Sequence, residues 1–293
     1  GDALTSGPHN IAVGFGALSA ETTGNKNVAV GHQTLLVQNK EADAFNVAVG
    51  FEAGKAVTTG IQNTLLGANT GLSLTTGNYN VAIGTGSLQT EDTGSASIAI
   101  GRKALSAQNY NGLSYNVAVG YQAGLSVTTG IQNTIIGGLA GDALTTGNYN
   151  VALGYNALST EDEHSANTAI GFSSLAVLNA GAHGYNTAVG YESGKQMTTG
   201  IVNTLMGGLA ADALTTGTAN VALGYAALSS ETGGSNNIAI GNNALVSQNV
   251  GSGNNYNIAI GYNAGTNVTT GTLNTIIGGL AGDALTTGIS NVA

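Results

Sequence analysis

Cysteine and tryptophan are absent from this 293-residue chain, and proline occurs once, at Pro8. Without cysteine, neither a disulfide framework nor a thiolate metal site can form. Charge is almost as scarce, with Asp, Glu, Lys and Arg together making up 7% of the residues. The 6 basic residues are scattered, and against 15 acidic ones they leave a net charge of -9. Phosphate backbones are bound by clustered cations, so nucleic acid is not an expected partner. No apolar run approaches the ~18 residues of a membrane span, so membrane insertion by this segment is not expected either. No signal-peptide pattern is read at Gly1. Glycine, by contrast, is abundant at 47 residues, beside an apolar content of 42%. So little proline excludes collagen, and so much apolar content excludes a disordered linker. A β-rich repeat that places glycine at its turns remains.

The repeat is explicit. The phrase Asn-x-Ala-Val-Gly, with apolar variants, ends at sixteen glycines from Gly14 to Gly278. Their spacing runs 17, 19, 17, 17 and repeats, with 20 in place of 19 between Gly241 and Gly261. Four coils therefore make a superrepeat of 70 residues, marked by Gly14, Gly84, Gly154 and Gly224 and spanning approximately 10–79, 80–149, 150–219 and 220–290. The opening Gly1-Asp2-Ala3-Leu4-Thr5 matches Gly141–Thr145 in mid-repeat, and Asn291-Val292-Ala293 stops partway through a strand phrase. The expectation is one fibre segment, 1–293, cut from a longer chain.

Each coil opens on a short strand such as Asn27-Val28-Ala29-Val30. Strand side chains alternate, so Val28 and Val30 share one face while Asn27 and Ala29 share the other. The glycine that follows suits a backbone angle closed to other residues. A second limb carries Leu four residues past the glycine in the first two coil types (Leu18, Leu35, Leu88, Leu105). In the other two types an apolar residue sits seven past it (Val57, Leu74, Val127, Leu144, Met197). Thr-Thr-Gly then closes most coils. A 17-residue unit cannot bury its own apolar face, but stacked coils can, with equivalent residues in columns ~4.8 Å apart. The predicted fold is all-β, a parallel β-solenoid of sixteen coils.

Two columns stand out. Four residues before each glycine the chain has Asn at fifteen of sixteen positions, among them Asn10, Asn27, Asn46, Asn63, Asn80, Asn116, Asn133 and Asn150, with Ser97 the exception. Stacked amides can bond to the coils above and below, which makes a structural column the leading reading and a ligand site the lesser one. One residue past the glycine stand Phe15, Phe51, Tyr121, Tyr155, Phe172, Tyr191, Tyr225 and Tyr262, and five before it come Phe45, Tyr79, Tyr115 and Tyr149 among others. Packing along turn edges accounts for them. The sharper alternative is a strip of Tyr121, Tyr155, Tyr191, Tyr225 and Tyr262 that contacts sugar rings. Both strand faces are apolar or small, and the second limb can cover only one. A copy of the same chain is the simplest cover for the other, so parallel association is expected, as a trimer.

Asn27-Val28-Ala29-Val30-Gly31, Ser97-Ile98-Ala99-Ile100-Gly101 and Asn237-Ile238-Ala239-Ile240-Gly241 resemble the head repeats of trimeric autotransporter adhesins of the YadA type, and similar Thr-Thr-Gly-rich and tyrosine-rich runs occur in phage tail fibres. The resemblance spans the whole chain. It implies a left-handed parallel β-roll, three chains side by side, an extracellular place on a virion or bacterial surface, and attachment to a cell-surface glycan or receptor. The coils here are longer than those of adhesin heads and are grouped in fours; the long Thr-Thr-Gly coils tilt the comparison towards tail fibres.

Catalytic readings find little support. Glu21, Glu91-Asp92, Glu161-Asp162-Glu163 and Glu231 recur at one turn, but equivalents lie four coils apart, ~19 Å on the ladder spacing and beyond the reach of a glycosidase pair. Within Glu161-Asp162-Glu163 the run reads as a solvated turn. The phrase Gly137-Gly138-Leu139-Ala140-Gly141-Asp142 is reminiscent of calcium-binding nonapeptides but recurs only once per superrepeat. The histidines His9, His32, His164 and His183 lack ligand spacing and are placed at turns. Thr-Thr-Gly, intact in nine coils, is interrupted in every second-type coil, which disfavours an ice-binding face. The sequence reading is therefore a structural or adhesive fibre segment, not an enzyme, with no cofactor. A carbohydrate-binding module is the alternative, and an ice-binding solenoid or a polysaccharide-degrading tailspike follows behind.

Overall fold

A computed structural model of the chain describes residues 1–181 and 183–293. It is an all-β parallel solenoid, with no helix among the described residues. Contacts divide it into two units, Gly1–Asn148 and Tyr149–Ala293, each holding two superrepeats.

In the first unit the strands are Ile11–Val13, Val28–Val30, Val47–Val49, Thr64–Leu66, Val81–Ile83, Ile98–Ile100, Val117–Val119 and Thr134–Ile136. Neighbours pair in parallel without slippage, as Val28↔Val47, Ala29↔Ala48 and Val30↔Val49. Each rung is closed by short backbone bonds: Val28 N donates to Asn46 O at 2.9 Å and Gly50 N to Val30 O at 2.8 Å. The second unit repeats this with Val151–Leu153, Thr168–Ile170, Thr187–Val189, Thr204–Met206, Val221–Leu223, Ile238–Ile240, Ile258–Ile260 and Thr275–Ile277. It adds one short parallel pair, Gly234–Ser235 with Gly253–Asn254.

The glycine ending each strand takes a left-handed backbone, with φ between 118° at Gly84 and 144° at Gly120. A side chain there would strike the next rung: at Gly31, a Cβ would lie 2.2 Å from Gly50 O. The column must be glycine because the backbone both turns and stacks at that point.

Side-chain volume explains why the true period is four coils. In the first and second coil types the middle strand residue is Ala and the second limb carries Leu, as with Ala29 and Leu35, both fully buried. In the fourth type the middle residue is itself large (Leu65, Ile135, Leu205, Ile276) and the second-limb leucine becomes Gly71, Gly141, Ala211 or Gly282. The third coil lies between these two and supplies a hole. A Cβ on Gly54 would meet Leu65 Cδ1 at 2.6 Å and Leu35 Cδ2 at 2.9 Å, and Gly194 stands in the same relation to Leu205 and Leu175, both at 2.8 Å. Large side chains of the second and fourth coils thus interdigitate over the glycine of the third, as close packing demands. The second-limb leucines adopt left-handed angles themselves, φ 50° at Leu18 and 49° at Leu35. That costs about 1–2 kcal/mol per residue, offset by ~1.5–3 kcal/mol for burying each side chain.

Candidate functional site

The inner face of the strands carries a polar spine. Asn46 Oδ1 accepts the backbone N–H of Asn63 at 2.9 Å, and Asn63 Oδ1 accepts that of Asn80 at 3.0 Å. The same amides reach across their own coil: Asn46 Nδ2 donates to Gly60 O at 2.7 Å and Asn63 Nδ2 to Gly77 O at 2.9 Å. Asn10, Asn27, Asn116, Asn133 and Asn150 make bonds of the same kind. At Ser97, which is too short to span the coil, a hydroxyl bond to Ser114 Oγ at 2.5 Å and a bond from Gln108 Nε2 at 2.7 Å take over. Acceptor and donor ends of the amides are thereby engaged in holding strand to turn and coil to coil.

The acidic turn departs from the sequence expectation. Glu21, Glu91, Glu161 and Glu231 are not solvated but fully buried. Each of three sits in a socket of donors. Glu91 Oε1 accepts from the backbone of Asp92 at 3.1 Å and Gly94 at 2.8 Å, while Oε2 accepts from Gln108 Nε2 at 2.8 Å and Tyr110 N at 3.4 Å. Glu21 has Thr22, Gly24, Gln38 and Lys40 in these places. Glu231 has Thr232, Gly233, Gly234, Gln248 and Val250, with Asn255 Nδ2 added at 3.0 Å. Burial pushes the Glu231 carboxyl up, but the Gln248 amide and the N–H groups of Gly234, Val250 and Gly233 outweigh it and hold the carboxyl below its ordinary value. The signal was present in the sequence as Glu, Gly three residues on and Gln seventeen on. Gly94 is required there, because a Cβ would lie 2.5 Å from the Glu91 carboxyl carbon.

The third superrepeat breaks this pattern at two points. His164 replaces the glycine and Leu178 replaces the glutamine. His164 Nδ1 lies 2.5 Å from Glu161 Oε1, and the His164 N–H donates to the same oxygen at 3.2 Å. Glu161 Oε2 and Asn167 Nδ2 are buried without a hydrogen-bond partner. Burial raises the Glu161 carboxyl, and the His164 contact offsets this only in part. Glu161, Asp162 and His164 each bring a ligand-type atom within 4.8 Å of the others. Ligands of one tetrahedral zinc ion sit about 3.3 Å apart at zinc–ligand bonds of ~2.0–2.1 Å. The Nδ1–Oε1 pair is closer than that, so these two atoms are each other's partner and not an open ligand set. At the calcium-like phrase, Asp142 stands alone: burial raises its carboxyl, while its own N–H and that of Ala143 lower it.

The outer face is apolar and open. Val, Ile and Leu project outward, with Thr at the first position of strands such as Thr64–Leu66 and Thr134–Ile136; most are half-buried, while Val47, Leu66 and Ile98 are 40%, 46% and 36% exposed, as is Met206 at 45% in the second unit. Aromatic columns flank this ladder. Phe15, His32 and Phe51 stack at 5.4 and 5.1 Å between ring centroids; Tyr155, Phe172 and Tyr191 stack at 5.7 and 5.4 Å. Tyr155 and Tyr191 therefore each give one ring face to Phe172. The Arg102 guanidinium lies 5.7 Å from the Tyr121 ring centre, and Tyr121, Tyr225 and Tyr262 are exposed. In the Thr-Thr-Gly turns the first hydroxyl is engaged, Thr58 Oγ1 donating to Thr75 O at 3.2 Å. No cavity opens among the described residues, and they include no helix long and apolar enough to cross a membrane. Comparison with protein-family models, with curated proteins and with solved structures finds no match for the chain.

Proposed function

We propose that the chain is a structural or adhesive fibre segment of the tail-fibre or surface-adhesin kind, outside the cell, whose copies associate in parallel through the outer Val/Ile ladder. The observation that carries this reading is that ladder itself: rows of Val, Ile and Leu at the outward strand positions, half-buried on strands such as Val28–Val30 and Val81–Ile83 and exposed at Val47, Leu66 and Ile98. Contiguous apolar surface of this kind marks an association site. Three copies are proposed on the resemblance to adhesin heads. Reach, stiffness and multivalent presentation are then the work of the assembly, with avidity making weak surface contacts effective.

Light scattering after size exclusion, with small-angle scattering, tests it. The expected particle has three times the 28.8 kDa chain mass and is elongated. Leu66→Lys with Ile98→Lys should lower that mass. A compact monomer throughout the micromolar range would sink the reading. Glycan contact through Tyr121, Tyr155, Tyr191, Tyr225 and Tyr262 is the second reading, favoured by their exposure. A glycan array should then lose signal in Tyr155→Ala and Tyr225→Ala; unchanged or absent binding removes it.

A further inference from the structure

Four glutamates share one position in the fold, so the molecule contains its own controls for the one that differs. We propose that the turn carrying Glu161 and His164 is a pH-responsive segment of the solenoid, tightening on acidification where the Glu231 turn loosens. The geometry is the two replacements already described. Leu178 removes the amide that supports the second carboxylate oxygen elsewhere, and His164 puts an imidazole where the other copies have Gly24, Gly94 and Gly234. Glu161 is fully buried yet relies on His164 alone for its side-chain donor. Charged groups facing the pair are few. Asp162 Oδ1 lies 3.8 Å from His164 Nδ1, Glu163 is exposed beside it, and His183 lies in the turn of the adjoining coil, where Gly184 N donates to Ser165 O at 3.2 Å. No Lys or Arg occurs between residues 150 and 190. The coil neighbour Asn150 donates to the His164 carbonyl at 2.9 Å and carries no charge.

The sign follows from linkage. A carboxyl raised in the folded chain binds a proton that the opened chain would release, so opening becomes harder as pH falls through the folded-state value. Glu231 behaves oppositely. Its carboxyl is lowered in the folded chain, so its stabilising contribution is present above the ordinary glutamate range and lost as pH falls through the folded value.

Hydrogen exchange with mass spectrometry on the full chain, corrected for intrinsic rates, reads both turns at once. Between about pH 8 and about pH 5, protection of peptide 158–170 should rise about three- to tenfold relative to peptide 228–241, and the latter should fall at lower pH. The two peptides following one course, or 158–170 losing protection, would overturn the proposal. His164→Gly combined with Leu178→Gln rebuilds the arrangement of the other three copies and should give 158–170 the pH course of 228–241; an unaltered course would also overturn it. The wild-type comparison stands even where that variant folds poorly.

Discussion

Replacing Asn63 by alanine removes one rung of the buried spine. Asn63 Nδ2 donates to Gly77 O at 2.9 Å, and its Oδ1 accepts from Asn80 N at 3.0 Å. Asn63 is fully buried, so water cannot substitute for either bond without opening the coil. Each backbone group left unpaired costs about 1–3 kcal/mol, and two of them give ~2–6 kcal/mol. Stacked coils interact mainly with their neighbours, so the loss should be local. Native-state hydrogen exchange is the appropriate assay, with the amide of Asn80 and those of the Val81–Ile83 strand as reporters. Their opening free energy should drop by ~2–6 kcal/mol, while strands three or more coils away change little. Thr59→Ala, at an exposed turn position, serves as control and should stay within about 0.5 kcal/mol. If Asn63→Ala is as mild as this control, the asparagine column does not hold the coils together.

Leu65→Ala should cost about 2–5 kcal/mol by urea titration of the first unit's signal. Because a Cβ on Gly54 meets Leu65 Cδ1 at 2.6 Å, Gly54→Ala should cost less in the Leu65→Ala background than alone, and additive costs would refute the hole described for the third coil. Gly94→Ala drives a methyl to within 2.5 Å of both the Glu91 carboxyl carbon and Tyr110 O. A loss of about 1–3 kcal/mol or more is expected, read by exchange at residues 91–110, and wild-type protection there would argue against the buried socket.

Much of the fold was legible because stacking turns a repeated phrase into a column. Asn-x-Ala-Val-Gly names its own inward residues, its outward residues and its turn, and register follows once the coils are stacked, as the pairing Val28↔Val47 shows. The buried leucines of the second limb were legible for the same reason. The glutamates were not. Reading charge as solvent-facing is sound for an isolated carboxylate, but beside the local N–H groups of Thr22 and Gly24 two donors to Glu21 come from Gln38 and Lys40 on the next coil, and only the stacked register brings those near. Nor was the left-handed backbone at Leu18 and Leu35 evident, because local preference disfavours it and tertiary packing imposes it. The particular chemistry at Glu161 rests on His164 and Leu178, two departures from a pattern that had itself gone unread.

The four coil types differ in volume, and this determines which deletions the solenoid can absorb. Removing residues 10–79 takes out one whole superrepeat and brings the Gly84 coil to the place of the Gly14 coil, so every remaining coil keeps the neighbour types it had. Removing 47–63 also takes out one period, 17 residues, and leaves strand phrases at both sides of the junction able to pair. What it deletes is the coil with the hole. Leu35 and Leu65, which now share the space over Gly54, would be brought together on adjacent rungs with no glycine between them. Overpacking of this kind costs about 1–3 kcal/mol and forces side chains from their rotamers, and it adds to the loss of Val57 from the core. The 70-residue deletion should therefore unfold at nearly the wild-type urea midpoint, and the 17-residue deletion should unfold earlier with exchange concentrated around Leu35 and Leu65. Equal tolerance of both deletions would mean that ladder pairing alone sets the stability of the stack, and that the alternation of leucine and glycine contributes nothing to it.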